Sequence, residues 1–438
     1  MSAIITNNFK IQNAINFTKE VSHNNYYITI GKVDDWPEGH DLVPINTTST
    51  YRSLWDNMIG GKEIATNRIS LVVPKINWTE GIIYAMYDDE DVDLYNKNFY
   101  VITEDRNVYK CLFNNNDNPS LIKPTGTGTS TIELSDGYVW KYLYTVSLDD
   151  LSRFDVDNYI PITNEPVVES PQDIVMKSAI PGTIDMIKVV HEGLGYINPV
   201  INISGDGEGA MAQAVMNGTS IEKIKILSPG KNYTYADITI TSENEPSSVA
   251  IVRPIIAPNK GHGSNIVKEL YATRVMISAD LEYDENGKLP ITNDFRIISV
   301  INNPLFTDKE DESGDTVEED ESNTIAKSEE AFSQLTKLTL DGASSLLFKE
   351  DMIITGMSSG ATARIVSVDE NNVMSLINVK GNFTLEESIQ CGDYQAVVKS
   401  IELPDLVRDS GDFVYIDYRK PISRAEDQKE KIRIILQF

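Results

Sequence analysis

Cysteine is nearly absent from the sequence, which carries only Cys111 and Cys391 in 438 residues. Two cysteines so far apart argue against a disulfide framework and against a cysteine-based zinc site. Long apolar runs are also missing, since none approaches the roughly 18 residues of a membrane-spanning helix. The N-terminus lacks the basic and apolar regions of a secretory signal. We therefore expect a protein that is made and kept in a cytoplasm and has no membrane partner.

Basic residues are scarce as well. The chain holds 38 Lys and Arg against 66 Asp and Glu, which gives a formal net charge of −28. Because phosphate binding needs clustered Lys and Arg, this balance predicts that nucleic acid is not a partner. Two interpretations of the charge remain: solubility alone, or an acidic surface matched to a basic partner.

Histidine is rare and scattered. His23, His40, His191 and His262 occur singly, with no HExxH motif, and no GxSxG motif is present. A hydrolytic zinc site or a histidine-based triad therefore has little support. His262 lies between two glycines in a predicted tight loop, where a structural hydrogen bond is the favoured role.

Two short motifs resemble binding sites without meeting their requirements. The glycine cluster 205–209 lacks GxGxxG spacing and the Lys-Ser/Thr of a P-loop, so it is interpreted as a β-turn. The run 88–91 lacks the ligand alternation of a calcium loop and is interpreted as a solvated acidic face. The sequence thus predicts no enzyme, and no catalytic, cofactor-binding or metal-binding residue. A pair of carboxylates for glycoside hydrolysis is neither supported nor excluded by the sequence, because with so many acidic residues only the distances between them could identify such a pair.

What the sequence has in abundance is strand-forming and turn-forming residues, including 20 Tyr, 26 Gly and 18 Pro. They predict a mainly β (α+β) fold: a β-sandwich-like core with short helices in loops, plus two inserted small β modules. The clearest helix is the N-terminal one, capped near residues 6–8. A second helix is predicted at about 53–59, ended by Gly60 and Gly61.

A repeat with an offset of 37 residues lies in the middle of the chain. The stretch 187–196 can be laid on 224–233 with Gly193 on Gly230 and Tyr196 on Tyr233. A fixed offset with matched turn glycines indicates a duplicated β unit, and two copies are too few for a solenoid.

A block of charge separates this repeat from a later β-rich stretch. Residues 308–321 hold nine acidic side chains and one Lys in 14 positions, so we expect a flexible surface loop there. The predicted domains, in order, are a first core segment with the N-terminal helix and strands (1–168), the duplicated module (169–257), a second core segment (258–307), the acidic flexible loop (308–330), the second inserted β module (331–402) and a third core segment (403–438).

Several stretches, in order along the chain, resemble one family, the baseplate wedge subunit known as gene product eight in T-even phages. The strongest are Asp136–Tyr144, 298–305, 410–415, 419–422 and 427–438, and weaker ones lie at 27–31, 55–59, 73–78 and 108–112. The resemblance covers roughly residues 1–165, 260–307 and 403–438. The duplicated module and residues 308–402 depart from it and are interpreted as insertions.

The resemblance implies a non-enzymatic structural subunit of a contractile tail baseplate. It also implies contacts with other wedge proteins, a homodimer within each wedge, and a location in the virion after assembly in the host cytoplasm. The alternative is a tail-associated glycan-binding or glycan-cleaving protein, with aromatic platforms in the insertions. Tyr196 and Tyr233 occupy equivalent places in the repeat, as packing residues would, and this weighs against that alternative.

Overall fold

The computed structural model of the chain describes residues 3–33, 42–154, 156–163, 165–290, 294–307, 330–341, 347–424 and 428–438. The predicted acidic loop, apart from residue 330, lies outside these described residues, and so does His40. Strands take up 45% of the chain and helices 13%, which confirms the mainly β prediction.

The helices are short apart from the first, which confirms the predicted N-terminal helix. They are α1 (Asn7–His23), α2 (Thr48–Asn57), α3 (Leu148–Phe154), α4 (Pro171–Ser178) and α5 (Ile266–Glu269), with 3-10 turns at Thr66–Arg68 and Leu94–Asn96. Side chains cap the helices at their N-termini: Thr47 accepts from the amide of Thr50 before α2, Ser170 from that of Asp173 before α4, and Asn265 from that of Lys268 before α5. Among the described residues, no helix combines the length and the apolar character needed to cross a membrane.

Twenty-five strands are described. The first fourteen are β1 (Tyr26–Gly31), β2 (Met58–Glu63), β3 (Ile69–Pro74), β4 (Tyr100–Ile102), β5 (Asn107–Asn114), β6 (Ile132–Glu133), β7 (Tyr138–Thr145), β8 (Tyr159–Ile162), β9 (Ile184–His191), β10 (Val200–Gly205), β11 (Glu208–Asn217), β12 (Ser220–Lys231), β13 (Ala236–Thr241) and β14 (Ile251–Ile256). The others are β15 (Arg274–Glu282), β16 (Asp294–Asn302), β17 (Ala331–Ser333), β18 (Thr336–Leu340), β19 (Ile353–Gly356), β20 (Thr362–Val368), β21 (Val373–Lys380), β22 (Ser388–Cys391), β23 (Tyr394–Glu402), β24 (Asp412–Ser423) and β25 (Lys429–Gln437).

The second predicted helix is wrong in its limits and in the role of its glycines. Helix α2 ends at Asn57, and Gly60 and Gly61 lie inside strand β2. A Cβ on Gly60 would lie 2.4 Å from the carbonyl oxygen of Phe332, and one on Gly61 would lie 2.3 Å from that of Ile28. The two glycines therefore allow neighbouring backbones to approach closely, which a helix-stop interpretation does not require.

The chain divides into two compact units. Unit 1 contains Met1–Ile15, Ser70–Met276 and Ile435–Phe438, and unit 2 contains Asn16–Ile69 and Ile277–Ile434. The predicted limits of the core and of the inserted modules stay predictions.

Unit 1 has an aromatic core behind a sheet of order β4-β5-β7-β6. Its central strand β7 is buried over most of its length, and the Trp140 ring stacks on Tyr138 and meets Tyr84 edge-on. Because both faces of this strand are covered, it reads as a nearly continuous run of large apolar residues. Strands β3 and β8 pair antiparallel in the same unit.

Unit 1 also contains the duplicated module, built from two three-stranded copies. The first copy supplies β9, β10 and β11, and the second supplies β12, β13 and β14. They form a four-stranded sheet of order β11-β12-β9-β14 and a two-stranded sheet β10-β13. The strands of the larger sheet therefore alternate between the copies, and each copy completes the sheet of the other.

Unit 2 contains a five-stranded sheet and a closed barrel. The sheet has the order β17-β2-β1-β16-β24, and the six-stranded barrel has the order β18-β21-β20-β19-β22-β23, closed by pairing of β18 with β23. Buried aliphatic side chains such as Leu338, Ile365 and Leu376 fill the barrel. The barrel leaves no free sheet edge of its own.

Candidate functional site

The most chemically competent group of side chains in unit 1 surrounds His262. The Lys110 ammonium is fully buried and forms an ion pair with the buried carboxylate of Glu269. His262 Nδ1 lies 3.6 Å from Glu269 Oε2, and its Nε2 lies 3.6 Å from Asp185 Oδ2. The ring of Tyr87 meets the imidazole edge-on at 4.9 Å and also packs under Lys110 Nζ at 4.5 Å.

The loop that carries His262 is fixed by its two glycines. Gly261 and Gly263 have φ values of +92° and +87°, in the left-handed region. A Cβ on Gly261 would lie 2.3 Å from the carbonyl oxygen of Ile180, and the Gly263 amide donates to Glu269 Oε1 at 2.5 Å. The loop is thereby held against α5, with the imidazole turned into the interior.

Electrostatics set the charge of this cluster. Burial raises the pKa of Glu269, but the charge and the hydrogen bond of Lys110 outweigh it and lower the pKa to about 2. Burial, and then the charge of Lys110, lower the pKa of His262. Burial also lowers the pKa of Lys110, against the opposing charge of Glu269. The contacts are those of an ion pair beside the imidazole.

A cavity of about 340 Å³ reaches His262 and Asp185 and is also lined by Lys141, Thr183 and Ser178. Its groups are engaged elsewhere: Thr183 Oγ1 donates to Asp185 at 2.6 Å, Ser178 Oγ donates to the carbonyl oxygen of Val175, and Lys141 Nζ donates to that of Thr129. Within the described chain, no hydroxyl is hydrogen-bonded to His262. The arrangement resembles a structural tie between β5, β9 and α5 more than a nucleophile–base pair, which needs a direct hydrogen bond.

The acidic run 88–91 is not a freely solvated face. Arg253 of β14 contacts Asp88 at 2.5 Å, Asp89 at 3.2 Å and Glu90 at 3.4 Å, and Lys97 contacts Asp91 at 2.6 Å. The interpretation as a solvated face is corrected accordingly: the guanidinium takes the place where a cation would bind, and it ties β14 to residues 88–90. In the described ranges, no three His, Cys, Asp or Glu side chains converge as metal ligands do.

The glycine cluster 205–209 turns the chain from β10 into β11, as predicted. Asp206 accepts hydrogen bonds from the amides of Thr234 and Tyr235. A Cβ on Gly207 would lie 2.4 Å from the Tyr233 ring. The cluster thus seats Tyr233.

The two repeat tyrosines have equivalent partners in opposite copies. The amide of Ala250 donates to Tyr196 Oη at 2.8 Å, and the amide of Ala210 donates to Tyr233 Oη at 3.3 Å. Both rings are almost fully buried, at 3% and 5% exposure. They pack the module, as the repeat predicted. Among the aromatics of residues 331–402, Phe332, Phe348 and Phe383 are buried as well, and Tyr394 is exposed.

The segments that carry the resemblance to wedge subunits meet in space. In unit 2, β1, β16 and β24 are neighbours, with Ile28 opposite Val300 and Val300 opposite Tyr415. In unit 1, β5 pairs with β7, with Cys111 opposite Trp140. Stretches far apart in sequence thus build the central sheets of both units.

Comparison with known proteins gives one relationship. No model of a protein family matches the chain. The chain is similar to the baseplate wedge protein gp8 of Enterobacteria phage T4, with 24% identity over 196 residues, which cover 34% of this chain and 56% of the phage protein. The chain therefore spans about half the length of that relative. This supports a relationship to a baseplate wedge protein over a third of the chain.

Proposed function

We propose that this protein is a non-enzymatic structural subunit of a phage tail baseplate, located in the wedge, where it joins neighbouring wedge proteins. The observation that carries the proposal is the similarity to the T4 baseplate wedge protein. In the proposal the protein forms a homodimer within each wedge, assembles in the host cytoplasm and stays in the mature virion. It binds neither nucleic acid nor membrane and needs no cofactor.

Two features of the structure support this role. The segments that resemble wedge subunits form β1, β16 and β24 of the five-stranded sheet in unit 2 and the pair β5 and β7 in unit 1, so the resemblance falls on strands of both units. The group of side chains around His262 is engaged in internal contacts. A glycan-binding role has less support, because Tyr196 and Tyr233 are buried and offer no platform to a sugar.

Labelling of intact virions tests the proposal. Antibodies raised against the purified protein should decorate the distal end of the contractile tail in electron micrographs of the virus that encodes it. Antibodies against a capsid protein serve as the control and should decorate the head alone. Labelling of the head would contradict the baseplate role. So would a complete absence of labelling, even on particles whose tails have been opened by mild denaturant.

A further inference from the structure

Strand β24 forms an open edge of the five-stranded sheet in unit 2. It is twelve residues long and pairs on one side with β16. On its other side, no described residue forms a backbone hydrogen bond with it. An edge of this length presents a row of free amides and carbonyls to which another strand can add.

The side chains of β24 are those of a strand that is partly covered. Phe413, Tyr415, Ile416 and Tyr418 are half-buried, and Val414 is 45% exposed. Pairing of β24 with β16 is bulged at Val414 and at 419–421, so the regular part of this edge is 415–418.

The charges of the stretch 412–420 are self-complementary. Asp412 stands at its start and Lys420 at its end, and in the described chain neither of them forms an ion pair; the adjacent Arg419 is bound to Asp417 at 2.5 Å. If two copies of the stretch pair antiparallel about Ile416, the end of one copy that carries Asp412 lies beside the end of the other that carries Lys420.

We propose that β24 is the surface through which two copies of this chain pair, joining their five-stranded sheets edge to edge. The proposal rests on the homodimer of the proposed function and adds the surface that forms it. A twofold pair uses the same patch on both copies. When a strand with opposite charges at its two ends pairs antiparallel with its own copy, each positive end lies next to a negative end. Because each copy has a net charge of −28, local attraction of this kind is needed to hold two copies together.

Charge exchange tests the surface. Asp412→Lys and Lys420→Asp should each weaken the dimer about tenfold or more, because every substitution acts twice in a twofold interface and replaces attraction by repulsion. The double variant Asp412→Lys/Lys420→Asp restores opposite charges at both ends and should dimerise like the natural chain. Sedimentation equilibrium measures the dissociation constants. Lys380→Asp, at the exposed end of β21 in the barrel, is the matched control and should leave the dimer unchanged.

The decisive experiment mixes the two single variants, because formation of a heterodimer would also show that both variants are folded. Asp412→Lys offers two lysines and Lys420→Asp offers two aspartates, so the two should form a heterodimer more tightly than either forms a homodimer. Backbone amides of 413–420 should exchange hydrogen more slowly in the dimer than in either single variant.

Dimers that survive both single substitutions would overturn the assignment of β24 while leaving the homodimer of the proposed function intact. A natural chain that stays monomeric at tens of micromolar would overturn both the surface and the dimer. Labelling of the tail by antibodies is independent of either result, so failure of the baseplate role is seen separately.

Discussion

At the scale of single residues, the buried ion pair Lys110–Glu269 is the contact whose disruption should most affect the free energy of unfolding. Removing one partner of a fully buried ion pair leaves an uncompensated charge, which costs about 3–5 kcal/mol. We expect Lys110→Met to lower the free energy of unfolding by that amount. Lys110→Met/Glu269→Gln should recover most of it, because the Gln carbonyl oxygen can still accept from the Gly263 amide. Urea denaturation measures both, and a double variant as unstable as the single one would contradict the pair.

The same pair predicts a pH dependence. The pKa of Glu269 falls from its ordinary value of 4.5 to about 2 on folding. A depressed folded pKa contributes stability that is fully present above pH 4.5 and is lost as the pH falls towards 2. The double variant Lys110→Met/Glu269→Gln should therefore lose less stability than the natural protein over this window. Urea midpoints at pH 5, 4 and 3 measure the difference, and parallel curves would contradict the assigned pKa.

At the scale of elements, Glu387 links two turns of the barrel. Its nearly buried carboxylate accepts from the amides of Thr384 at 2.5 Å, Ser359 at 3.1 Å and Ser358 at 3.3 Å. Glu387→Ala leaves these donors without an acceptor, and we expect it to destabilise the barrel by about 2–4 kcal/mol. Hydrogen exchange of the barrel amides in the full chain gives the local value.

The neighbouring Glu386 provides the control. Its carboxylate is exposed and contacts Lys399 at 3.0 Å, also on the surface. Because exposed ion pairs contribute about 0–1 kcal/mol, Glu386→Ala should change barrel protection little. Equal effects of the two substitutions would mean that Glu387 acts only as a surface charge.

Local patterns predicted elements well and tertiary partners poorly. The offset of 37 residues revealed two copies, and the N-terminal cap and strand-forming runs located α1 and the mainly β fold. Alternation of the copies within one sheet was not predictable, because no spacing records which strand a given strand pairs with. The same limit applies to His262: its partners Lys110, Asp185 and Glu269 come from distant positions that only folding brings together.

Misassigned residues have the same physical cause. Gly60 and Gly61 match a helix-stop signal, yet they lie in β2, because close approach of Phe332 and Ile28 leaves no space for a side chain. The acidic run 88–91 matches a solvated face, yet Arg253 neutralises it from about 160 positions away. In both cases a tertiary contact overrides the local propensity: neighbouring backbones approach closely in the first, and a distant cation pairs with the acidic run in the second.

At the scale of the whole molecule, the proposed structural role predicts inactivity. The purified protein should release no reducing sugar from host polysaccharide, and EDTA should leave its thermal unfolding midpoint unchanged. A glycosidase of known activity, assayed on the same polysaccharide, shows that cleavage would be seen. Sugar release that disappears on changing a single Asp or Glu would contradict the structural role, and a lowered midpoint in EDTA would reveal a structural metal.

The strand exchange in the duplicated module constrains how that module forms and how it arose. Strand β11 of the first copy pairs with β12 of the second, and β14 of the second copy pairs with β9 of the first. Ile187 and Ile224, which are equivalent positions 37 residues apart, lie opposite each other, as do Asn202 and Thr239. When only the first copy has left the ribosome, its strands have no partners. The four-stranded sheet therefore cannot be completed until β14 has emerged, and the ancestor of the module is best understood as a short chain that folded only as a dimer.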